Sequence, residues 1–111
     1  MVIKDSSPFG SQARTRALLA LRLLSESYPR ELARLLALPL ASVQRALESL
    51  ERDGLVGARA VGRTRVYRIE PRYFGYRELQ QFLLRLTEPD ADLGARVAGL
   101  RRRPRRSGKP L

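Results

Sequence analysis

Hydrophobic residues recur at three- and four-residue spacing along this chain, in the pattern of helices that bury one face. The first such segment covers residues 11–24, where one face carries Ala17, Leu18, Leu21 and Leu24. Ser11 can cap this helix, because its hydroxyl can accept a hydrogen bond from a free N–H of the first turn. Leu19 and Leu23 widen the apolar surface, which predicts burial on more than one side.

Two more helices are predicted directly afterwards. The first covers residues 30–36, and Pro29 suits its start because the missing N–H of proline is not needed there. After a tight connection at residues 37–39, residues 40–53 carry a stripe at spacing i, i+3, i+4, i+7 that is formed by Val43, Ala46, Leu47 and Leu50. Gly54 follows and can adopt the left-handed conformation that ends a helix.

A β-hairpin is predicted next, because residues 55–60 and 65–69 are rich in strand-forming side chains and a glycine-containing loop at 61–64 separates them. Alternation leaves the sidedness of the second strand open. Val66 and Arg68 share one face, and the other face carries Arg65, Tyr67 and Ile69.

The last two predicted helices cover residues 76–86 and 90–102. Gly94 and Gly99 weaken the second of them by about 1 kcal/mol each relative to alanine. Residues 103–111 have no apolar period and are predicted to form a basic flexible tail. The predicted fold class is therefore mainly α with a small β-hairpin.

Charge adds a candidate partner to this picture. The 111 residues carry 22 Lys+Arg and 11 Asp+Glu, a formal net charge of +11. Residues 11–86 and 96–111 hold +7 each, and residues 55–69 carry four arginines and no acid. Such a segment attracts a polyanion. The alternative is a solvated surface in an arginine-biased chain.

Composition excludes several kinds of chemistry. The chain has no cysteine and no histidine, so disulfides, metal sites through Cys or His, and catalytic triads that need histidine are all excluded. Its carboxylates form no evident pair with a base or nucleophile, and no glycine loop could cradle a phosphate, so we expect neither an enzyme nor a cofactor. Neither a membrane span nor a secretory signal is readable, which predicts a cytoplasmic protein.

Three motifs within residues 11–69 are informative together. Glu31-Leu32-Ala33 opens the second helix, Leu50-Glu51-Arg52-Asp53-Gly54-Leu55-Val56 ends the third, and the hairpin reads Gly62-Arg63 and then Tyr67-Arg68. This combination resembles the winged helix-turn-helix domain of ArsR/MarR-like bacterial and archaeal regulators, over a little more than half of the chain. The resemblance implies a three-helix core plus a wing, with additional C-terminal helix or helices, and a DNA-binding transcriptional regulator that is usually a homodimer.

On this interpretation residues 1–10 are an N-terminal arm, 11–70 the DNA-binding domain and 71–102 a C-terminal helical extension with a possible role in dimerisation. Two features depart from the family pattern. Pro39 stands where the family often has a serine or threonine cap, and the Cys and His ligands of the metal-sensing members are absent, so a metal response is not implied.

Candidate DNA contacts follow from the third helix, because a major groove admits one α-helix. Its flank opposite the buried stripe carries Ala41, Ser42, Gln44, Arg45 and Ser49. Arg45 can donate two hydrogen bonds to guanine, and Gln44 can pair with adenine. The alternatives for Arg45 are a phosphate contact or a surface ion pair with Glu48 or Glu51.

The wing and the second helix supply candidate phosphate contacts. Arg63 at the predicted hairpin tip, beside Thr64, is the best placed for a phosphate or the minor groove, and Arg59 and Arg65 flank it. Arg30 could meet a phosphate at the start of the second helix or pair with Glu26.

The stripe on residues 76–86 lacks a further core segment to cover, which predicts pairing with the first helix of a second subunit. The alternative is packing within the same chain. The predicted dimer interface consists of Leu19, Leu23, Leu79, Phe82, Leu83 and Leu86. The sequence thus predicts a sequence-specific regulator of double-stranded DNA, as a dimeric repressor. The alternative is a winged-helix adaptor that binds another protein or RNA.

Overall fold

A computed structural model of the chain describes residues 7–88 and 91–102. In this part the helices are α1 (Gln12–Leu24), α2 (Pro29–Leu36), α3 (Leu40–Arg52), α4 (Tyr76–Thr87) and α5 (Ala91–Arg102). Strands β1 (Val56–Val61) and β2 (Thr64–Ile69) form an antiparallel pair between α3 and α4. The predicted class, mainly α with a small β-hairpin, is confirmed. The predicted tail at 103–111 and most of the predicted arm lie outside the described residues.

Local capping explains where the first three helices begin and end. The Ser11 hydroxyl accepts a hydrogen bond from the Arg14 N–H at 3.1 Å, and Pro29 occupies the first turn of α2. At the end of α3, Gly54 has a φ of 82° and donates to the Glu51 carbonyl at 3.0 Å, while the Leu55 N–H donates to the Leu50 carbonyl at 3.0 Å. This pair of bonds is a Schellman motif, and it satisfies carbonyls that the helix leaves free.

The end of α2 adopts the same turn without a glycine. Ala37 has a φ of 56°, and the following Leu38 N–H donates to the Ala33 carbonyl at 3.1 Å. For an L-residue this left-handed conformation costs roughly 1–2 kcal/mol. The tight turn between α2 and α3 therefore holds backbone strain at Ala37.

Replacing Ala37 with glycine is expected to raise the free energy of unfolding by about 0.5–1 kcal/mol, because relief of this strain outweighs the extra chain entropy of glycine. Urea denaturation measures the change. Ala95→Gly on the exposed face of α5 is the matched control, since its backbone is helical, and it should destabilise the protein by about 1 kcal/mol. If Ala37→Gly loses as much stability as the control does, the backbone at Ala37 is not strained.

Helix α1 lies at the centre of the core. It packs against α2, α3, α4, α5 and β2, and its residues Ala17 to Leu21 are all buried. The predicted stripe of α3 faces it, with Leu47 and Leu50 fully buried. A helix with so many neighbours needs apolar residues around most of its girth, which accounts for the width of its hydrophobic surface.

The hairpin is tighter than predicted. Its strands pair from Val56 with Ile69 to Val61 with Thr64, so that the loop is only Gly62-Arg63, not residues 61–64. Gly62 has a φ of 62°, as expected for the first loop residue of a type II′ turn. The sidedness that alternation left open is resolved by burial, since Tyr67 and Ile69 face the core and Arg68 is exposed.

One contact of the sheet has no counterpart in the predicted pattern. Ser27, between α1 and α2, forms an isolated antiparallel bridge with Tyr67. The Ser27 N–H donates to the Tyr67 carbonyl at 3.0 Å, and the Tyr67 N–H donates back at 2.7 Å. The bridge joins the connection between α1 and α2 to the outer edge of β2.

The predicted dimer interface assumed that the apolar stripe of α4 is left uncovered within one chain, and the packing of α4 shows that it is covered. The stripe of Leu79, Leu83 and Leu86 is buried within the single chain, because α4 packs across α1. Leu19 is also buried and Leu23 is half-buried. Phe82 alone of the six predicted residues is exposed, at 46%, and its ring lies 5.8 Å from that of Phe9. Intramolecular packing therefore accounts for this stripe without a second subunit.

Helix α5 completes the described core by inserting Leu93 and Val97. The Arg96 guanidinium fastens it to α2 by donating to the Leu35 carbonyl at 2.8 Å. In residues 7–88 and 91–102, no helix is long and apolar enough to cross a membrane.

Candidate nucleic-acid interface

The outward flank of α3 is the centre of the candidate site. Ala41, Gln44 and Arg45 are exposed and Ser42 is half-buried, while the stripe on the other side of the helix is inside the core. Within the described part of the chain, the side chains of Gln44 and Arg45 form no hydrogen bond or ion pair. Their polar groups are therefore available to an external partner.

Ser49 follows on the same side of α3 but differs from these residues in its contacts. It lies one turn further along α3, is half-buried, and its hydroxyl accepts a hydrogen bond from Nη1 of Arg14. Its hydroxyl is thus already engaged within the chain, and a DNA contact at Ser49 stays a prediction.

Arg14 is a positioning residue that the sequence pattern did not reveal. Besides Ser49, its guanidinium contacts the Asp53 carboxylate at 2.8 Å and donates through Nε to the Phe9 carbonyl at 2.5 Å. The side chain is only 17% exposed. It thereby connects the segment before α1 to the C-terminal turn of α3, and an arginine on a helix rich in arginines gives no sequence signal of such a role.

Replacing Arg14 with alanine is expected to lower the free energy of unfolding by about 1–2 kcal/mol, since charge-assisted hydrogen bonds to Ser49 and Phe9 are lost together. Urea denaturation monitored by circular dichroism measures the change. The control is Arg77→Ala, an exposed arginine on α4 that should change stability by less than about 0.5 kcal/mol. Equal effects of the two substitutions would show that the bonds of the Arg14 side chain do not stabilise the fold.

The hairpin tip presents a second cation to solvent. Arg63 in the two-residue turn and Thr64 at the start of β2 are exposed, and Arg63 has no ion-pair partner among the residues that the structure describes. A short turn with no large apolar anchor allows the guanidinium to approach a backbone phosphate closely.

The two arginines predicted to flank the tip are already paired. Arg65 lies 3.0 Å from the Glu51 carboxylate and donates to the Tyr67 hydroxyl at 3.3 Å. The Tyr67 hydroxyl, followed by the charge of Glu51, raises the pKa of Arg65. Arg59 pairs with Glu26 at 3.2 Å. The Arg65–Glu51 pair joins the hairpin to the last turn of α3.

These ion pairs also answer the alternatives that the sequence left open. Glu51 is bound to Arg65, not to Arg45, and Glu26 is bound to Arg59, not to Arg30. Arg30 is exposed in the first turn of α2 and lacks an ion-pair partner in the described ranges. Three unpaired guanidinium groups, those of Arg30, Arg45 and Arg63, thus remain from the predicted set.

No family model, curated protein or solved structure matches this chain. The candidate site therefore rests on its own chemistry. Exposed pairs such as Arg59–Glu26 contribute little to stability and are weakened by salt. A phosphate can compete for these guanidinium groups at small cost, so the paired arginines add a secondary source of positive charge around the three free ones.

A carboxylate limits what this surface can bind. Glu48 is exposed on α3, one turn after Gln44 and Arg45. The negative charge of its carboxylate would repel a phosphate. The carboxylate oxygens can instead accept a hydrogen bond from the amino group of cytosine. At the far end of the hairpin, the backbone N–H of Arg72 lowers the pKa of Glu70, whose carboxylate is thereby fixed away from the tip.

Proposed function

We propose that this protein is a sequence-specific regulator of transcription that binds double-stranded DNA as a winged helix-turn-helix protein. On this proposal α3 enters the major groove and the hairpin acts as the wing. The observation that carries it is the free flank of α3, where Gln44 and Arg45 are exposed and unengaged within the described residues while the opposite stripe is buried.

The order of side chains along α3 suits insertion into a groove. Ala41 and Ser42 are short and lie in the first turn, so the backbone there can approach base edges closely. Gln44 and Arg45 follow within the next turn, where a bidentate contact to adenine or guanine would discriminate by about 1–3 kcal/mol each. Base readout is thus assigned to the N-terminal half of α3.

Phosphate contacts would position this helix. Arg63 would contact the backbone or minor groove from the wing, and Arg30 would contact a phosphate at the positive end of the α2 dipole. The formal net charge of +11 adds attraction without sequence preference. The affinity should therefore fall steeply with salt, with a slope near −0.9 for each neutralised phosphate.

Repression by a homodimer is part of the proposal because of the family resemblance. Two copies would each contact one half of a two-fold symmetric site. Since Leu79, Leu83 and Leu86 are inside one chain, the contact between copies would involve another surface. Sedimentation equilibrium at micromolar concentration tests this part: a mass of two chains supports it, and a mass of one chain removes it.

Selection from random duplexes at 100 mM salt tests DNA recognition itself, with affinities of the selected and scrambled duplexes then measured by fluorescence anisotropy. We expect an enriched motif whose affinity exceeds that of the scrambled duplex by about 10³-fold or more. A structured RNA of equal length is the control. No enriched motif, together with equal or tighter binding of RNA, would favour the adaptor function over a DNA regulator.

A further inference from the structure

A cleft between α2 and α5 is separate from the proposed DNA surface. Its volume is about 500 Å³, within the range of small-molecule sites. Its apolar wall is formed by Leu35 on one side and Leu100 on the other. One hydrogen bond bridges the two helices at the cleft, where Arg96 of α5 donates to the Leu35 carbonyl of α2 at 2.8 Å.

The charged groups of the cleft differ in how far they are engaged. Arg96 is occupied by the Leu35 carbonyl and by Asp92 at 3.1 Å. Glu31 is buried, and its carboxylate accepts a hydrogen bond from the Ser27 hydroxyl at 2.6 Å. The Arg34 side chain is exposed, and its guanidinium forms no hydrogen bond or ion pair with another described residue. Among the described side chains that line this cleft, the guanidinium of Arg34 is thus the one charge without a partner, and it lies beside an apolar wall.

Because Gly99 has no side chain, it leaves space in the cleft unfilled. It lines the cleft from α5, and a Cβ built at this position meets nothing within 4 Å. Glycine inside a helix costs about 1 kcal/mol relative to alanine. Gly94, in the same helix, has equally open surroundings but does not line the cleft. The chain thus offers a position where a side chain can fill the cleft and a matched position where it cannot.

We propose that this cleft binds an amphipathic organic anion, with its apolar body over Gly99 and between Leu35 and Leu100, and its acidic group on Arg34. A planar carboxylate matches the guanidinium of Arg34 in shape and charge. The apolar wall provides the remaining contact area. The assignment does not depend on DNA binding, because it is tested on the protein alone.

Titration with 1-naphthoate tests the site. Binding is measured by isothermal calorimetry and by the amide chemical shifts of α2 and α5. We expect a dissociation constant on the order of 1 mM or tighter, given the size of the ligand. Gly99→Leu should weaken binding by about 10-fold or more by filling the cleft. Arg34→Gln should weaken it about 5-fold, as the charge-assisted bonds are lost. The matched controls Gly94→Leu and Arg77→Gln should bind as the unchanged protein does.

Three results would overturn the assignment. The first is no shift of α2 or α5 amides at 10 mM ligand, a concentration about ten times the expected constant. The second is binding that survives Arg34→Gln undiminished, which also decides the matter should Gly99→Leu fail to fold. The third is equal affinity for the neutral analogue 1-naphthalenemethanol, which would show that the cleft does not select an anion.

Discussion

Replacing Leu83 with alanine is expected to lower the free energy of unfolding by about 2–5 kcal/mol. Leu83 is 0% exposed in the single chain, where α4 packs across α1. Truncation removes its methyl groups from the core and leaves a cavity that the surrounding helices fill only in part. The loss is a large fraction of the 5–15 kcal/mol that holds a typical domain together.

Phe82→Ala is the matched control for this prediction, since it removes a larger side chain from the preceding position of the same helix. Phe82 is 46% exposed, so its loss should cost only about 1 kcal/mol. Urea denaturation at two protein concentrations that differ 20-fold measures both variants. If the midpoint rises with concentration and Phe82→Ala destabilises more than Leu83→Ala, α4 belongs to a subunit interface after all.

The parts of the fold that could be predicted are those with a local physical cause. Ser11, Pro29 and Gly54 mark helix ends because each acts on its own backbone neighbours. The i, i+3, i+4, i+7 spacing marks the buried stripe of α3 because one turn of helix takes 3.6 residues. These signals are complete within a few residues of sequence, and the structure agrees with them.

Periodicity could not identify what covers a stripe. The spacing of Leu79, Leu83 and Leu86 requires only that this face of α4 leaves water, and a second subunit or α1 of the same chain meets that requirement equally well. The strained turn at Ala37 was equally hidden, since alanine carries no turn signal. Both features are decided by tertiary packing, which the local pattern does not contain.

The candidate site divides in the same way. Its exposed flank could be predicted, because the outward side of α3 is whatever lies opposite the buried stripe. The partners of its charges could not be predicted, since Arg65 meets Glu51 and Arg14 meets Asp53 only after α1, α3 and the hairpin have packed. The bond of the Ser49 hydroxyl to Arg14 could not be predicted for the same reason, because Arg14 lies on a helix distant in sequence.

Arg45→Ala is expected to abolish preference for one base pair of the selected duplex while leaving the affinity for scrambled duplexes nearly unchanged. Loss of a bidentate contact to guanine removes about 1–3 kcal/mol of discrimination, which is roughly a 5- to 150-fold fall in the affinity ratio at that position. Fluorescence anisotropy on duplexes that carry each of the four base pairs there measures the ratio. The folded structure should be unaffected, because Arg45 is exposed and forms no ion pair within the described part of the chain.

Arg63→Ala provides the contrast that separates base readout from phosphate attraction. It removes the same charge from the hairpin tip, so it should weaken binding to all duplexes by a similar factor and reduce the salt slope by about 1. Both variants carry the same net charge, and therefore a difference in base preference between them cannot arise from charge alone. If both weaken every duplex equally, Arg45 contacts phosphate and the direct readout assigned to α3 is wrong. If only Arg45→Ala changes the preference, the flank of α3 lies against base edges, and the wing serves to position it.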